Sequence, residues 1–306
     1  MDRNLTAFLA IAAEANLSDA AEKIGLTQPS LTKRLANLEE DLGGKLFERH
    51  RRGMRLTAAG RHFLARAERI EQEYRQAREE IRALAGIGLE TLRVGAGPLF
   101  HLRYAAPLFA RLRNRYPSLT FELVADQNAV TLPMLRDGRL DVVLGAIEPS
   151  EPDALVTAIP VAEIELAVIM AADDPMAALP VLGPRELAGF SWVAYSGATD
   201  NVPLLRRYCA EQRLKPPHII AHSTSFAAAL DLTRAFRAKL MAPLQLSDHV
   251  KTVGLVIRPT NPSISRLSTG AYVRRSSLGI AVIRQLLEDL KAVAGLGGNG
   301  RTTDRR

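Results

Sequence analysis

Residues 17–42, LSDAAEKIGLTQPSLTKRLANLEEDL, read as two short helices joined by a tight turn. Ser18 is a candidate cap for the first, since its hydroxyl can accept from a free N–H of the first turn. Ala20 and Ala21 are small enough for another helix to cross closely. Gly25 interrupts the pattern where a helix C-terminus calls for positive φ. Thr27 can cap the second helix, and Pro29 falls in its first turn, where no intrahelical N–H is lost. Within that helix Leu31, Leu35, Leu38 and Leu42 recur at i, i+4, i+7 and i+11 and predict one apolar face. Pro29, Lys33, Ala36 and Asn37, flanked by Ser30 and Thr32, make up the opposite face. A short helix that is leucine-rich on one side and small, polar and cationic on the other suits a nucleic-acid groove. The same pattern also fits two amphipathic helices of any helical protein, so the flanking sequence has to decide.

The N-terminal neighbour, residues 4–15 (NLTAFLAIAAEA), predicts a helix with Leu5, Phe8, Leu9 and Ala12 on one side, ready to pack on the pair. On the other flank, residues 46–57 (LFERHRRGMRLT) read as strand, basic turn with Gly53, and strand. A two-stranded ribbon after a helix pair is a wing, and His50, Arg51 and Arg52 at its tip point cationic donors toward a phosphate backbone or minor groove. Residues 1–90 hold 15 Lys+Arg and 14 Asp+Glu, but eight of those basic residues lie between Lys45 and Arg69, against only Glu48 and Glu68. The positive charge of this region is therefore local to the wing and the start of the next helix.

Thr57 can cap a long helix over residues 58–85. Phe63, Ala67, Ile70, Tyr74, Ala77, Ile81 and Leu84 alternate steps of four and three, a heptad seam about three repeats long. The simplest partner for such a seam is the same helix of a second chain. Gly86 and Gly88 end it.

Beyond Thr91 strands and helices alternate. Strands are expected at 92–97, 119–125, 140–147, 163–171, 191–195, 219–223, 254–258 and 268–275. Helices are expected at 102–116, 130–136, 200–213, 224–238 and 277–294. This repetition predicts a mainly parallel sheet covered by helices. Ligands of such sheets lie beyond the carboxyl ends of the strands. That rule selects the loop at Gly97, Pro98, Leu99 and Phe100, then Asp126, Gln127 and Asn128, then Ile147 and Glu148, then Tyr195, Ser196 and Gly197, and finally Thr224 and Ser225. Residues 295–306 (GLGGNGRTTDRR) read as a disordered tail.

At 306 residues, 47% hydrophobic and net +7, the chain is long enough for two domains with proper cores. No apolar run reaches membrane-spanning length. The opening MDRNLTAFLAIAAEANL lacks a basic n-region and carries Glu14, so no secretion signal is expected. Cys209 is the single cysteine, which excludes an internal disulfide and fits a reducing cytoplasm. His218 and His222 are the nearest approach to a metal-ligand pair, but HIIAHSTS reads as a strand, so neither metal nor other cofactor is expected. An enzyme is disfavoured: Ser196 lacks a GxSxG elbow, no phosphate-binding glycine motif is present, and Cys209 reads as a helix core residue.

Residues 5–60, LTAFLAIAAEANLSDAAEKIGLTQPSLTKRLANLEEDLGGKLFERHRRGMRLTAAG, resemble the LysR-type transcriptional regulators, a long and position-rich match. VGAGPL, YPSLTFEL and LRDGRLDVVLG extend the resemblance, so that it covers roughly residues 4 to 294. The resemblance implies an α/β chain divided into a winged helix-turn-helix (1–57), a dimerising linker helix (58–88) and a two-lobed, periplasmic-binding-protein-like effector domain (91–294). One lobe would comprise about 91–162 and 267–294, the other about 163–266. It implies a cytoplasmic homodimer or homotetramer with linker helices paired antiparallel, bound to dyad-symmetric operator DNA and in contact with RNA polymerase. DNA contacts carry over to Thr27, Gln28, Pro29, Ser30, Thr32, Lys33 and Arg34, with Arg49, Arg51 and Arg52 in the wing. The linker seam, Phe63, Ile70, Tyr74, Ala77, Ile81 and Leu84, carries over to dimerisation. For the effector, Pro98 and Leu99 stand where the family often has a hydroxyl residue that holds a small carboxylate. RAKLMAP (237–243) stands where it usually has a glycine-containing segment. An organic acid and a less polar ligand are both open, and so is a small-molecule receptor without sequence-specific DNA binding.

Overall fold

The computed structural model describes residues 2–51, 53–84, 88–148, 153–195 and 201–295. They form two compact units that divide between Ile81 and Arg82.

In the first unit, helix α1 (Arg3–Glu14) starts at Asp2, whose carboxylate accepts from the N–H groups of Asn4 and Leu5 at 2.8 and 2.9 Å. It buries Leu5, Ala7, Phe8, Ala10 and Ile11, while Leu9 and Ala12 are only partly covered. Helix α2 (Leu17–Lys23) is capped by Asn16, not Ser18: Asn16 Oδ1 accepts from the Ser18 N–H at 2.8 Å. Asn16 lies one position before the helix with extended backbone, the geometry a capping side chain needs, whereas Ser18 is already inside the first turn. Gly25 has φ +66°, as the turn requires. Helix α3 (Gln28–Asp41) is capped by Thr27, with Pro29 in its first turn. Leu31, Leu35 and Leu38 are buried, but Leu42 lies past the last helical residue and is 46% exposed. Strands β1 (Phe47–His50) and β2 (Gly53–Leu56) form an antiparallel ribbon, and Thr57 caps helix α4 (Ala58–Leu84) through the Gly60 N–H.

The heptad seam divides along α4. Phe63 and Ala67 belong to the core of their own unit, with the Phe63 ring 5.0 Å from that of Phe8. Ile70, Tyr74, Ala77 and Ile81 are exposed along the helix. Phe63 is therefore a core residue of this unit and not a free seam position. The side chain of Leu84 lies outside the described part of the helix.

The second unit is built on strands β3 (Thr91–Ala96), β4 (Thr120–Ala125), β5 (Val142–Ala146), β6 (Val156–Ala171), β7 (Ser191–Tyr195), β8 (His218–Ser223), β9 (Lys239–Pro243), β10 (Leu255–Arg258) and β11 (Arg266–Arg274). Helices α5 (Ala105–Arg115), α6 (Asn128–Arg136), α7 (Pro184–Leu187), α8 (Val202–Glu211), α9 (Phe226–Ala235), α10 (Ser247–Lys251) and α11 (Ala281–Gly295) surround them. A π-helical turn at Phe100–Tyr104 leads into α5. The strand order is β4-β3-β5-β11-β6-β9-β7-β8, with β10 also on β6. Strands β3, β4 and β5 run parallel to one another, as do β7, β8 and β9. The sheet is mixed rather than mainly parallel, because β6, β10 and β11 pair antiparallel. The first half of the 16-residue β6 pairs with β11 and the second half with β9 and β10. One long strand thus joins two half-sheets. A cleft lies between them, at the carboxyl ends of the parallel strands.

Each half-sheet holds a buried ion pair. Arg274 donates to the carbonyls of Leu135 and Leu140 and pairs with Asp141, which also accepts from the Arg93 N–H at 2.8 Å. Lys239, 4% exposed, pairs with Asp174 and lies 4.5 Å from the centre of the Phe190 ring. Burial alone would raise the Asp174 carboxyl, but the Lys239 hydrogen bond and the Met176 N–H hold it below its ordinary value.

Candidate functional site

Two sites emerge, one in each unit. In the first, α3 turns its leucines inward, which leaves Thr27, Gln28, Pro29 and Lys33 exposed and Ser30, Thr32 and Arg34 half-buried on the outer side. Among the described residues, Lys33, Arg34, Arg49 and Arg51 make no ion pair within the chain, so their charges are available to phosphates. Thr32 Oγ1 donates back to the Gln28 carbonyl at 2.9 Å. Its hydroxyl hydrogen is thus in use, while its oxygen keeps acceptor capacity and its methyl stays free.

The wing is fixed at both ends. At its base, the Glu39 side chain is 7% exposed at the end of α3 and accepts from the N–H groups of Leu46 and Phe47 at 2.8 and 3.3 Å, and from Lys45 Nζ at 2.6 Å. Burial pushes the Glu39 carboxyl up, but these three donors outweigh it and the net shift is downward. Thr57 Oγ1 donates to the Lys45 carbonyl at 2.8 Å. Near the tip, the Met54 N–H donates to the Ala15 carbonyl at 2.8 Å, so the ribbon lies against the end of α1. Gly53 has φ +126°, and a Cβ there would stand 2.3 Å from the Ala15 oxygen. Arg52 lies outside the described residues. Arg55, exposed on β2 opposite Glu48, is a further cation of the wing that the strand-turn-strand reading left aside.

The second site is the cleft between the half-sheets, about 330 Å³ in volume. Pro98, Leu99, Phe100, Asn128 and Tyr195 line it as expected. Ile147, Thr224 and Ser225 do not. Ile147 packs beside Leu135, Val143 and Tyr272, while Ser225 accepts from the Ala228 N–H to cap α9 and Thr224 is exposed beside it. Ser196 and Gly197 lie outside the described residues. The cleft adds residues from distant parts of the chain: Ile164 and Leu166 on β6, Asn201 and Leu204 at α8, Phe226, Met241 and Thr269. Gln127, 8% exposed, belongs to it as well, and its side chain is hydrogen-bonded to the Tyr195 hydroxyl, which ties the two half-sheets across the opening. Burial pushes the Tyr195 hydroxyl above its ordinary pKa and the Gln127 bond opposes that. Asn128 Nδ2 donates to the Ala146 carbonyl at 2.6 Å, and its Oδ1 occupies the space a Cβ on Gly145 would need.

Two family models match the chain. One, "Bacterial regulatory helix-turn-helix protein, lysR family", covers residues 3–61, and the other, "LysR substrate binding domain", covers residues 88–295. The chain belongs to the LysR family of transcriptional regulators. It carries the family's N-terminal helix-turn-helix and its C-terminal effector-binding domain. Among curated relatives it is 31% identical over 263 residues to the small neutral protease regulatory protein of Streptomyces coelicolor, covering 84% of this chain and 81% of that one. To the HTH-type transcriptional regulator ShiR of Corynebacterium glutamicum (strain R) it is 32% identical over 187 residues, which is 61% of this chain but 63% of ShiR, less than two-thirds of that protein's length. Among solved structures, full-length CbnR complexed with its target DNA shares the fold at TM-score 0.70 and 21% identity, covering 95% of this chain and 99% of that one. No helix among the described residues of this LysR-family chain is long and apolar enough to cross a membrane. His218 and His222 lie on strand β8, and Cys209 is buried in α8, where burial pushes its thiol up.

Proposed function

We propose that this chain is a cytoplasmic, non-enzymatic regulator that binds a dyad-symmetric operator as a homodimer or homotetramer and changes its assembly geometry when a small molecule enters the cleft. The division of labour follows residues 1–57 for DNA, 58–88 for dimerisation and 91–294 for the effector, with lobes at about 91–162 plus 267–294 and 163–266. Thr27, Gln28, Pro29, Ser30, Thr32, Lys33 and Arg34 read the major groove, while Arg49, Arg51 and Arg52 hold the flanking backbone or minor groove. Ile70, Tyr74, Ala77, Ile81 and Leu84 supply the contact between chains, and RNA polymerase is the partner through which binding alters transcription.

The observation that carries this reading is the outer face of α3. Its cations, with those described in the wing, form no ion pair among the described residues, while its leucines are buried in the core. Two such helices related by a twofold would require two half-sites. The cleft supports the sensing role: closure of the half-sheets on a ligand would favour one of two arrangements of the assembly. Lys33→Ala tests the DNA assignment. It should weaken binding to specific and unrelated DNA alike and lower the slope of log affinity against log salt by about one. An unchanged slope would take Lys33 off the phosphates.

A further inference from the structure

The chemistry of the cleft limits what can occupy it. An anionic ligand in a half-buried site needs a cation or several convergent N–H groups, because an unpaired carboxylate taken out of water is strongly disfavoured. Here the lining contains no Lys, Arg or His among the described residues. Of the helix starts at the cleft, the one after β3 is blunted: Pro98 has no N–H, and the N–H groups of Phe100 and His101 both donate to the Gly97 carbonyl, at 2.9 and 3.0 Å. The Gly97 N–H donates to the Leu144 carbonyl at 3.0 Å, which leaves only that of Leu99 in this turn. The Asn128 side-chain amide gives one of its two hydrogens to the Ala146 carbonyl. Thr269, 3% exposed, donates its hydroxyl hydrogen to the Ala162 carbonyl at 3.0 Å and presents only acceptor capacity.

The charge that is present has the wrong sign for an acid. Glu148, at the exposed rim, is the only charged side chain among the described lining residues. Asp126 precedes Gln127. Against this stand the apolar surfaces of Phe100, Leu166, Phe226 and Met241. The volume, about 330 Å³, is at the small end of the ~300–1,000 Å³ range of small-molecule pockets.

We propose that the cleft takes a small, largely apolar molecule that carries no negative charge, a neutral amide or alcohol or an amine about the size of one substituted ring, and discriminates against carboxylates. The proposal rests on the effector-binding reading above. Aromatic faces and a rim carboxylate suit a neutral or cationic head, while Tyr195, Gln127 and Asn201 offer the hydrogen bonds that would orient it.

The test uses the full-length protein without DNA, so its outcome does not depend on operator binding, which is assayed separately on the same sample. Isothermal titration and thermal unfolding are run with matched sets on one ring: benzoate, benzamide and benzylamine, then the three cyclohexane counterparts. In at least one set the amide or amine should bind at least tenfold tighter than its carboxylate and raise the unfolding midpoint. Leu204→Trp, which fills the cleft from a half-buried position, should abolish that binding. Glu148→Gln should weaken the amine a few-fold and leave the amide unchanged. A carboxylate that binds as well as its amide, no amide or amine binding in any set, or binding that survives Leu204→Trp would overturn the proposal.

Discussion

Glu39→Gln keeps the shape of the side chain that joins the end of α3 to the base of the wing and removes only its charge. The glutamine oxygen can still accept from Leu46 and Phe47, 2.8 and 3.3 Å away, but those bonds change from charge-assisted to neutral. Bonds to charged groups contribute about 1.5–3 kcal/mol and neutral ones about 0.5–1.5. The lost Lys45 pair adds little, because the Lys45 side chain is 76% exposed and such pairs contribute about 0–1 kcal/mol. The net expectation is a loss of ~1–2 kcal/mol from the N-terminal unit. At about 4–8 °C per kcal/mol for a unit of this size, its thermal transition should fall by roughly 4–16 °C. Lys45→Ala should cost no more than ~1 kcal/mol.

The pH dependence has a definite sign. The folded-state carboxyl lies below its ordinary value, so its contribution is complete above the unfolded pKa of about 4.3 and is lost as pH falls through the folded value. The gap between the wild-type protein and Glu39→Gln should be constant from pH 6 to 8 (roughly the neutral range) and should close in acid. Circular dichroism melts of the full-length pair across pH read both quantities. Equal stability at neutral pH, or a gap that widens in acid, would refute the reasoning.

Gly53→Ala places a methyl group 2.3 Å from the Ala15 oxygen at φ +126°, so the wing must shift. The left-handed penalty alone is about 1–2 kcal/mol, and DNA affinity measured by fluorescence anisotropy should fall at least tenfold. Arg274→Met removes one guanidinium that pairs with buried Asp141 and leaves that of Arg93, 3.9 Å away. The C-terminal unit should lose up to about 3 kcal/mol in a denaturant titration, a loss partly restored by adding Asp141→Asn. Tyr74→Ser with Ile81→Ser changes two exposed residues of α4, 46% and 66% accessible, and should lower the assembly mass measured by light scattering while the helix content is retained. An unchanged mass would move the contact between chains away from this helix.

The first unit is largely legible in the sequence because local signals there agree with one another. The leucine spacing of α3, the Thr27 cap, Pro29 and the Gly25 turn each act within a few residues, and Leu31, Leu35 and Leu38 are buried as their spacing predicts. The reading fails where two local options compete, as with Asn16 and Ser18, or where the helix stops one residue short of Leu42. On α4 the heptad pattern cannot show that Phe63 and Ala67 are already used by the core of their own unit, because periodicity records an apolar face and not its partner. In the second unit, strand β9 escapes the pattern, since RAKLMAP carries a lysine and a proline. Lys239 is admitted to the core only by Asp174, 65 residues away in sequence. The first half of β6 escapes it too, because its half-exposed pattern lacks the apolar run of residues 163–171. The strand-end rule leads to this cleft, but Leu204, Met241 and Thr269 reach it from elements whose approach no local pattern encodes.

Footprinting of the purified protein on DNA from immediately upstream of its own coding region, against an unrelated fragment at near-physiological salt, tests the central claim most directly. The account predicts protection of a dyad-symmetric site with half-sites separated by whole helical turns, at an affinity about 10³-fold or more above that for the control. Weak binding that is equal on both fragments would contradict it and leave a ligand-binding protein whose basic wing has no sequence to read.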